Sequence, residues 1–171
     1  MSWVIWFTGR PAAGKTTLAR ALKELAADRG VALVHLESDS LRRILTPQPT
    51  YAAEERDRFY EMVAALAALL AGQGIPVIVD ATSPRRAHRG SARRRIPVFL
   101  EVFVDTPPDV CERRDPKGLY RAARSGDAPH LPGMGEPYED PLRPDLVVSG
   151  AGAPEEAIGS LWRLLHDRGL L

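Results

Sequence analysis

Gly9-Arg10-Pro11-Ala12-Ala13-Gly14-Lys15-Thr16 is the stretch from which the rest of the chain can be read. It satisfies G-x-x-x-x-G-K-[ST] at every fixed position. Before it lies a short apolar, β-rich run, Trp3 to Thr8 (WVIWFT). After it, residues 15 to 29 put Leu18, Leu22 and Leu25 on one helical face, with Gly30 where a C-cap belongs. Strand, glycine loop and helix are the context the pattern requires. The glycines let backbone amides converge on phosphate oxygens, and the helix start adds unpaired N–H groups and a positive dipole end. A nucleoside-triphosphate site is therefore expected at Gly9, Arg10, Pro11, Ala12, Ala13, Gly14, Lys15, Thr16 and Thr17. Lys15 reaches the β/γ-phosphates, and the Thr16 hydroxyl serves Mg²⁺.

Outward from the loop, strands and helices alternate. Val31 to Leu36 reads as a second strand, Ile75 to Val79 as a third, Val98 to Val104 as a fourth and Leu146 to Val148 as a fifth. Helices are expected at residues 40 to 45, from about Ala52 to Ala71 (Phe59, Val63, Leu66 and Leu70 in phase), at 85 to 94, after Pro107-Pro108, and at 154 to 168. This order predicts an α/β protein: a three-layer P-loop NTPase fold with a five-stranded parallel sheet and a lid. Residues 116 to 145 are the lid, a stretch with no strand pattern that holds six of the 15 prolines and four of the 14 glycines. Leu119, Tyr120, Leu131, Met134 and Tyr138 favour a lid over a disordered tail. With 171 residues and no linker or repeat, residues 1 to 171 read as one domain.

Composition closes several other routes. Lys+Arg 23 against Asp+Glu 22 leaves +1, which disfavours a polycation that coats nucleic acid. No run of about 18 apolar residues appears, so no membrane association is expected. Met1-Ser2-Trp3 lacks a basic n-region, and a cytoplasmic location is expected. Cys111 is the single cysteine and reads as a buried small hydrophobe, Trp3 and Trp6 read as core, and the four dispersed histidines lack metal-ligand spacing. Six arginines fall between residues 85 and 95. A solvated helix face is the plain account of them; contact with an anionic ligand or RNA binding are the others.

No guanine-recognition Asn/Thr-Lys-x-Asp element is present, and a short chain with a late Pro/Gly-rich lid suits a small-molecule kinase. Asp39 and Asp80 end strands at the edge where open α/β sheets bind ligands. Asp39 could orient or deprotonate an acceptor hydroxyl, and Asp80 could hold a Mg²⁺-bound water. Each could instead cap the element that follows.

From Val104-Asp105-Thr106-Pro107 through Cys111-Glu112-Arg113-Arg114-Asp115-Pro116-Lys117-Gly118-Leu119-Tyr120, and on to Ala123-Arg124-Ser125-Gly126 and Pro137-Tyr138-Glu139, the sequence resembles the adenylylsulfate (APS) kinase family. With the N-terminal motifs the likeness spans nearly the whole chain. The resemblance implies phosphorylation of the 3′-hydroxyl of adenosine 5′-phosphosulfate by ATP with Mg²⁺, and a homodimer. It implies roles residue by residue. Arg114 touches ATP phosphates as the lid closes, and Lys117 helps hold the nucleotide acceptor. Asp39 is base or Mg²⁺-water partner, with Arg42 an acceptor contact. Arg56 binds the sulfate–phosphate end. Thr82, Ser83 and Arg86 form an acceptor-side turn, in which Ser83 is either an acceptor-site residue or a helix cap. Direct in-line transfer is preferred over a phosphoserine, because a loose phosphoryl transition state mainly needs positioning and cations.

The chain departs from that family pattern at the acceptor. Phe59 stands where the family has an acceptor-binding asparagine, and Leu131 where it has a phenylalanine that stacks on adenine, with Tyr51 as the opposing aromatic. Asp80 replaces a usually apolar residue. Base–aromatic stacking contributes about 1–3 kcal/mol per base, so Leu131 is expected to weaken acceptor binding about tenfold. These substitutions keep open a P-loop kinase for another small hydroxyl compound. An ATP-dependent regulatory or RNA-linked binding module is the remaining alternative.

Overall fold

β1 (Val4–Thr8) has every residue buried, because it lies at the middle of the sheet and is covered on both faces. The computed structural model describes residues 2–171; Met1, the first residue of the N-terminal reading, lies outside them. The elements run β1, α1 (Lys15–Asp28), β2 (Val34–Glu37), α2 (Ser38–Leu45), α3 (Ala53–Gly72), β3 (Val77–Asp80), α4 (Arg86–Arg95), β4 (Phe99–Asp105), α5 (Pro108–Arg114), α6 (Leu119–Ser125), β5 (Leu146–Ser149) and α7 (Pro154–Asp167). All pairings are parallel, in the order β2-β3-β1-β4-β5.

The pleat of β1 splits the core into two layers. Ile5 and Phe7 pack with Leu18 and Leu22 of α1 and Leu161 and Leu165 of α7. Val4 and Trp6 face the other way, against Phe59, Val63 and Ala67 of α3. Cys111 is buried as expected, as are Trp3 and Trp6. No helix among the described residues is long and apolar enough to cross a membrane.

Register sets the functional edge. Phe7 pairs with Asp80, and Glu37 also pairs with Asp80, so β1, β2 and β3 end together beside the glycine loop. Each strand shifts at one or both ends from the sequence expectation, by one to three residues: β1 starts at Val4, β3 at Val77 and β4 at Phe99, and β2 and β5 end at Glu37 and Ser149. β2 starts at Val34, and β3 and β4 extend to Asp80 and Asp105. The lid contains a helix, α6, that periodicity does not signal: seven residues make two turns. It is fixed instead by Gly118 at φ 66, Gly126 at φ 87, and the Asp115 carboxylate, which accepts from the Tyr120 and Arg121 amides. The lid is also tied to the body. The Tyr138 hydroxyl lies 2.9 Å from Thr8 Oγ1, and the Arg89 guanidinium donates to the Glu139 carbonyl at 2.6 Å.

The basic run around α4 is mostly exposed, Arg89 alone among its six arginines being buried. Arg89 is 2% exposed and donates to Glu101 at 2.7 Å; Arg93 pairs with Glu101 and Asp145, Arg85 with Asp57, and Arg95 with Glu61. A solvated face therefore describes Arg86, Arg93, Arg94 and Arg95 but not Arg89, which ties α4 to β4 and to the lid.

Candidate active site

The glycine loop is built by close approach. A Cβ on Gly9 would sit 2.7 Å from the Val104 carbonyl oxygen, so β4 leaves room only for hydrogen there. Gly14 (φ 104) and Ala12 (φ 61) are left-handed and bend the loop into the start of α1. Lys15 is 8% exposed and folds back over the loop, its Nζ donating to the Gly9 and Arg10 carbonyls at 3.0 and 2.8 Å. Burial drives its pKa down to about 8, with the nearby Asp80 carboxylate opposing that shift. Thr16 and Thr17 occupy the first turn of α1. Arg114, from the end of α5, carries Nη1 to within 3.7 Å of where a Gly14 Cβ would be.

Three residues that support this loop were not singled out from sequence. Thr106 Oγ1 donates to the Ala13 carbonyl at 2.8 Å. The Tyr120 hydroxyl donates to the Pro11 carbonyl at 2.8 Å, joining lid helix α6 to the loop. Gly150, just after β5, packs so closely that an added Cβ would overlap the Ala13 carbonyl oxygen and Thr106 Oγ1. The V-D-T-P string was a visible signal for Thr106; a single glycine after a strand is no signal for Gly150. Gly150→Ala is expected to push the Ala13 turn out of shape. ATP affinity falls by about tenfold or more, and stability drops by about 1–3 kcal/mol, as overpacking does. Calorimetric titration and thermal unfolding read both; unchanged ATP affinity contradicts the role.

The acceptor-side residues are tied into three ion pairs, Asp39 with Lys117, Arg42 with Glu55 and Arg56 with Glu136, with corrections. Asp39 lies in the first turn of α2, half-exposed, and is ion-paired with Lys117 of the lid. It makes no side-chain cap. Arg42 is held by Glu55 at 2.8 Å and lies over the Phe59 and Tyr51 rings at 4.0 and 5.0 Å. Desolvation pushes the Glu55 pKa up, but hydrogen bonds from Arg42, Thr50 and Tyr51 prevail and hold it at about 2. Tyr51 is exposed, with φ 58, and remains available for stacking. Arg56 is buried at 4% exposure, donates to the His130 carbonyl at 2.9 Å, and leaves Nε without a partner among the described residues.

The structure places five of these residues differently. Ser83 is fully buried at φ 45; its Oγ accepts from Trp6 Nε1 at 2.9 Å, and its amide donates to the Tyr60 hydroxyl at 2.9 Å. It neither faces a substrate nor caps α4, so it is a scaffold residue. Phe59 is also fully buried; it supports Arg42 and touches no ligand directly. Leu131 is 7% exposed and belongs to the core, so it offers no stacking face. Arg86 donates through its amide to Glu139 Oε2 and through Nε to the Asp140 carbonyl, anchoring the end of the lid. Thr82 serves through its backbone, its carbonyl accepting from Thr8 Oγ1 at 2.7 Å.

Asp80 ends β3 at 3% exposure, with Oδ2 lacking a hydrogen-bond partner and lying 3.7 Å from His35 Nε2. A buried carboxylate oxygen beside Lys15 and the start of α1 suits a water of a magnesium shell, which keeps most of its waters. No cluster of three or more His, Cys, Asp or Glu among the described residues could cage a metal.

Comparison with known proteins gives a consistent result. The adenylylsulphate kinase family profile matches residues 1–149. An adenylyl-sulfate kinase of Rippkaea orientalis is 39% identical over 168 residues, covering 98% of this chain and 93% of the relative. One from a Synechococcus strain is 42% identical over 166 residues, covering 96% and 95%. The Mycobacterium tuberculosis APS kinase, solved in complex with AMPPNP and APS, superposes with a TM-score of 0.91 at 35% identity, covering 96% of this chain and 98% of that one.

Proposed function

The chain belongs to the adenylylsulphate kinase family, and from that premise we propose how its residues divide the work of phosphorylating adenosine 5′-phosphosulfate with ATP. It is an ATP-dependent phosphotransferase acting on a hydroxyl of APS. The observation that carries the assignment of roles is the Asp39–Lys117 ion pair, which joins the start of α2 to the lid close to Lys15. Arg42 lies one turn along α2, held by Glu55, and Arg56 meets the lid turn at Glu136. Residues 1 to 171 act as one kinase domain, with 116 to 145 as its lid.

The bond from the γ-phosphorus to the β–γ bridging oxygen breaks as the acceptor 3′-oxygen bonds to the same phosphorus, and ADP leaves with the electron pair. Lys15, the loop amides and Arg114 stabilise charge on the transferring group. Asp39, released from Lys117, accepts the hydrogen bond of the 3′-hydroxyl and then its proton. Thr16 and, through water, Asp80 are the residues that fit Mg²⁺; when bound, the ion neutralises charge on the phosphate oxygens. Arg42 and Arg56 hold the phosphosulfate end, and Tyr51 supplies one face for the adenine. Burial of Ser83 Oγ against Trp6 supports direct transfer without a phosphoserine.

Burial of Leu131 and Phe59 favours one second reading, a kinase for another small hydroxyl compound. An ADP-release assay decides between them, run against adenylyl sulfate, nucleosides and sugars. The proposal expects release with adenylyl sulfate alone. Release with a neutral hydroxyl compound and none with adenylyl sulfate rejects it.

A further inference from the structure

The lid turn at residues 128 to 136 aims a carboxylate at the acceptor site. Glu136 Oε2 lies 3.8 Å from Arg56 Nη1, and His130 Nδ1 lies 3.1 Å from Glu136 Oε1. The backbone fixes this placement: the Gly133 amide donates to the Glu136 carbonyl at 2.7 Å, and the Glu136 amide donates to the Leu131 carbonyl at 3.2 Å. An added Cβ on Gly135 would overlap the Pro129 carbonyl, so glycine is required for the turn that delivers Glu136. The side chain is 21% exposed and Arg56 only 5%, so the pair is partly shielded from solvent.

Neighbouring cations follow the same pattern. Glu55 holds Arg42 at 2.8 Å, Asp39 holds Lys117, and Asp140 lies 3.9 Å from Arg10. Glu136 differs in leaving its arginine incompletely satisfied. Arg56 Nε is buried without a partner, and the carboxylate meets the guanidinium at one nitrogen beyond hydrogen-bond length. A tetrahedral oxyanion offers several acceptors to the same fork and can bond Nη1, where Glu136 leaves the contact long.

We infer that Glu136 is a specificity-determining residue of the acceptor site, a lid-borne carboxylate that occupies Arg56 in the empty enzyme and is displaced only by a strongly anionic acceptor end. This rests on the acceptor reading above and deepens it. A sulfate or phosphate group competes for Arg56; a neutral sugar or nucleoside does not, and leaves Glu136 in place. Glu136 thus sets a threshold: an anion must outcompete the carboxylate for Arg56, so a weakly charged end gains nothing there, while a sulfate or phosphate still binds, less tightly than it would without Glu136.

The test uses the full chain and inorganic sulfate as the probe. Glu136→Gln keeps an oxygen for His130 and removes the charge. Sulfate is expected to bind it about tenfold more tightly than wild type by calorimetry, a change in the range of close charge pairs at interfaces. Glu136→Asp, shorter by one methylene, gains less. The KM for adenylyl sulfate falls about five- to tenfold with the KM for ATP unchanged, a split that mere loosening of the lid does not produce. Adding Arg56→Lys to Glu136→Gln removes the gain. Equal or weaker sulfate binding by Glu136→Gln, or a gain that survives Arg56→Lys, overturns the inference. If wild type fails to phosphorylate adenylyl sulfate, the acceptor reading falls, while the sulfate titrations still decide the role of Glu136.

Discussion

Lys15→Ala is expected to lower kcat by about a thousandfold, with a smaller rise in the KM for ATP. The Nζ sits at 3.0 and 2.8 Å from two loop carbonyls, in a site where burial holds its pKa at about 8. Its charge is therefore held above the loop at a cost to the empty enzyme and is neutralised when phosphate arrives. Removing a desolvated ammonium leaves folding little changed or improved, so thermal unfolding separates loss of chemistry from loss of fold. Lys15→Arg does not rescue: a side chain 8% exposed leaves no space for a guanidinium. Retention of more than a tenth of kcat in the alanine variant contradicts the assigned role.

Asp39→Asn is expected to lower kcat by about 10²–10³, with the KM for ATP within about threefold of wild type. The carboxylate is half-exposed and its only assigned partner is Lys117, so the amide preserves packing while removing the proton acceptor. Stopped-flow single turnovers read the chemical step directly. A purely structural role for the Asp39–Lys117 pair predicts the opposite pattern, in which Lys117→Met matches Asp39→Asn and both act on KM.

What could be read from the sequence was what is local. The glycine loop, its flanking strand and helix, and the alternation that makes a parallel sheet all lie within short windows, where spacing and backbone sterics decide the outcome. The lid helix α6 was hidden because its stability comes from Asp115 and two glycines, with too few residues to show a period. Burial was hidden because it is set by distant partners. Ser83 is silenced by Trp6, 77 positions away, and Tyr120 reaches Pro11 across 109. The arginine run looked like a free charged face because its acids, Asp57, Glu61, Glu101 and Asp145, lie on other parts of the chain. Phe59 and Leu131 stand at acceptor positions of the family pattern, yet both turn into the core.

The central claim is transfer of a phosphoryl group to one hydroxyl of adenylyl sulfate in this crevice. Its most direct test is two-dimensional phosphorus–proton NMR of the product formed from ATP and adenylyl sulfate. A new phosphorus signal coupled to the ribose H3′ is expected, absent with Lys15→Ala. Inorganic phosphate as the sole new phosphorus species besides ADP, or coupling to another ribose proton, would contradict it.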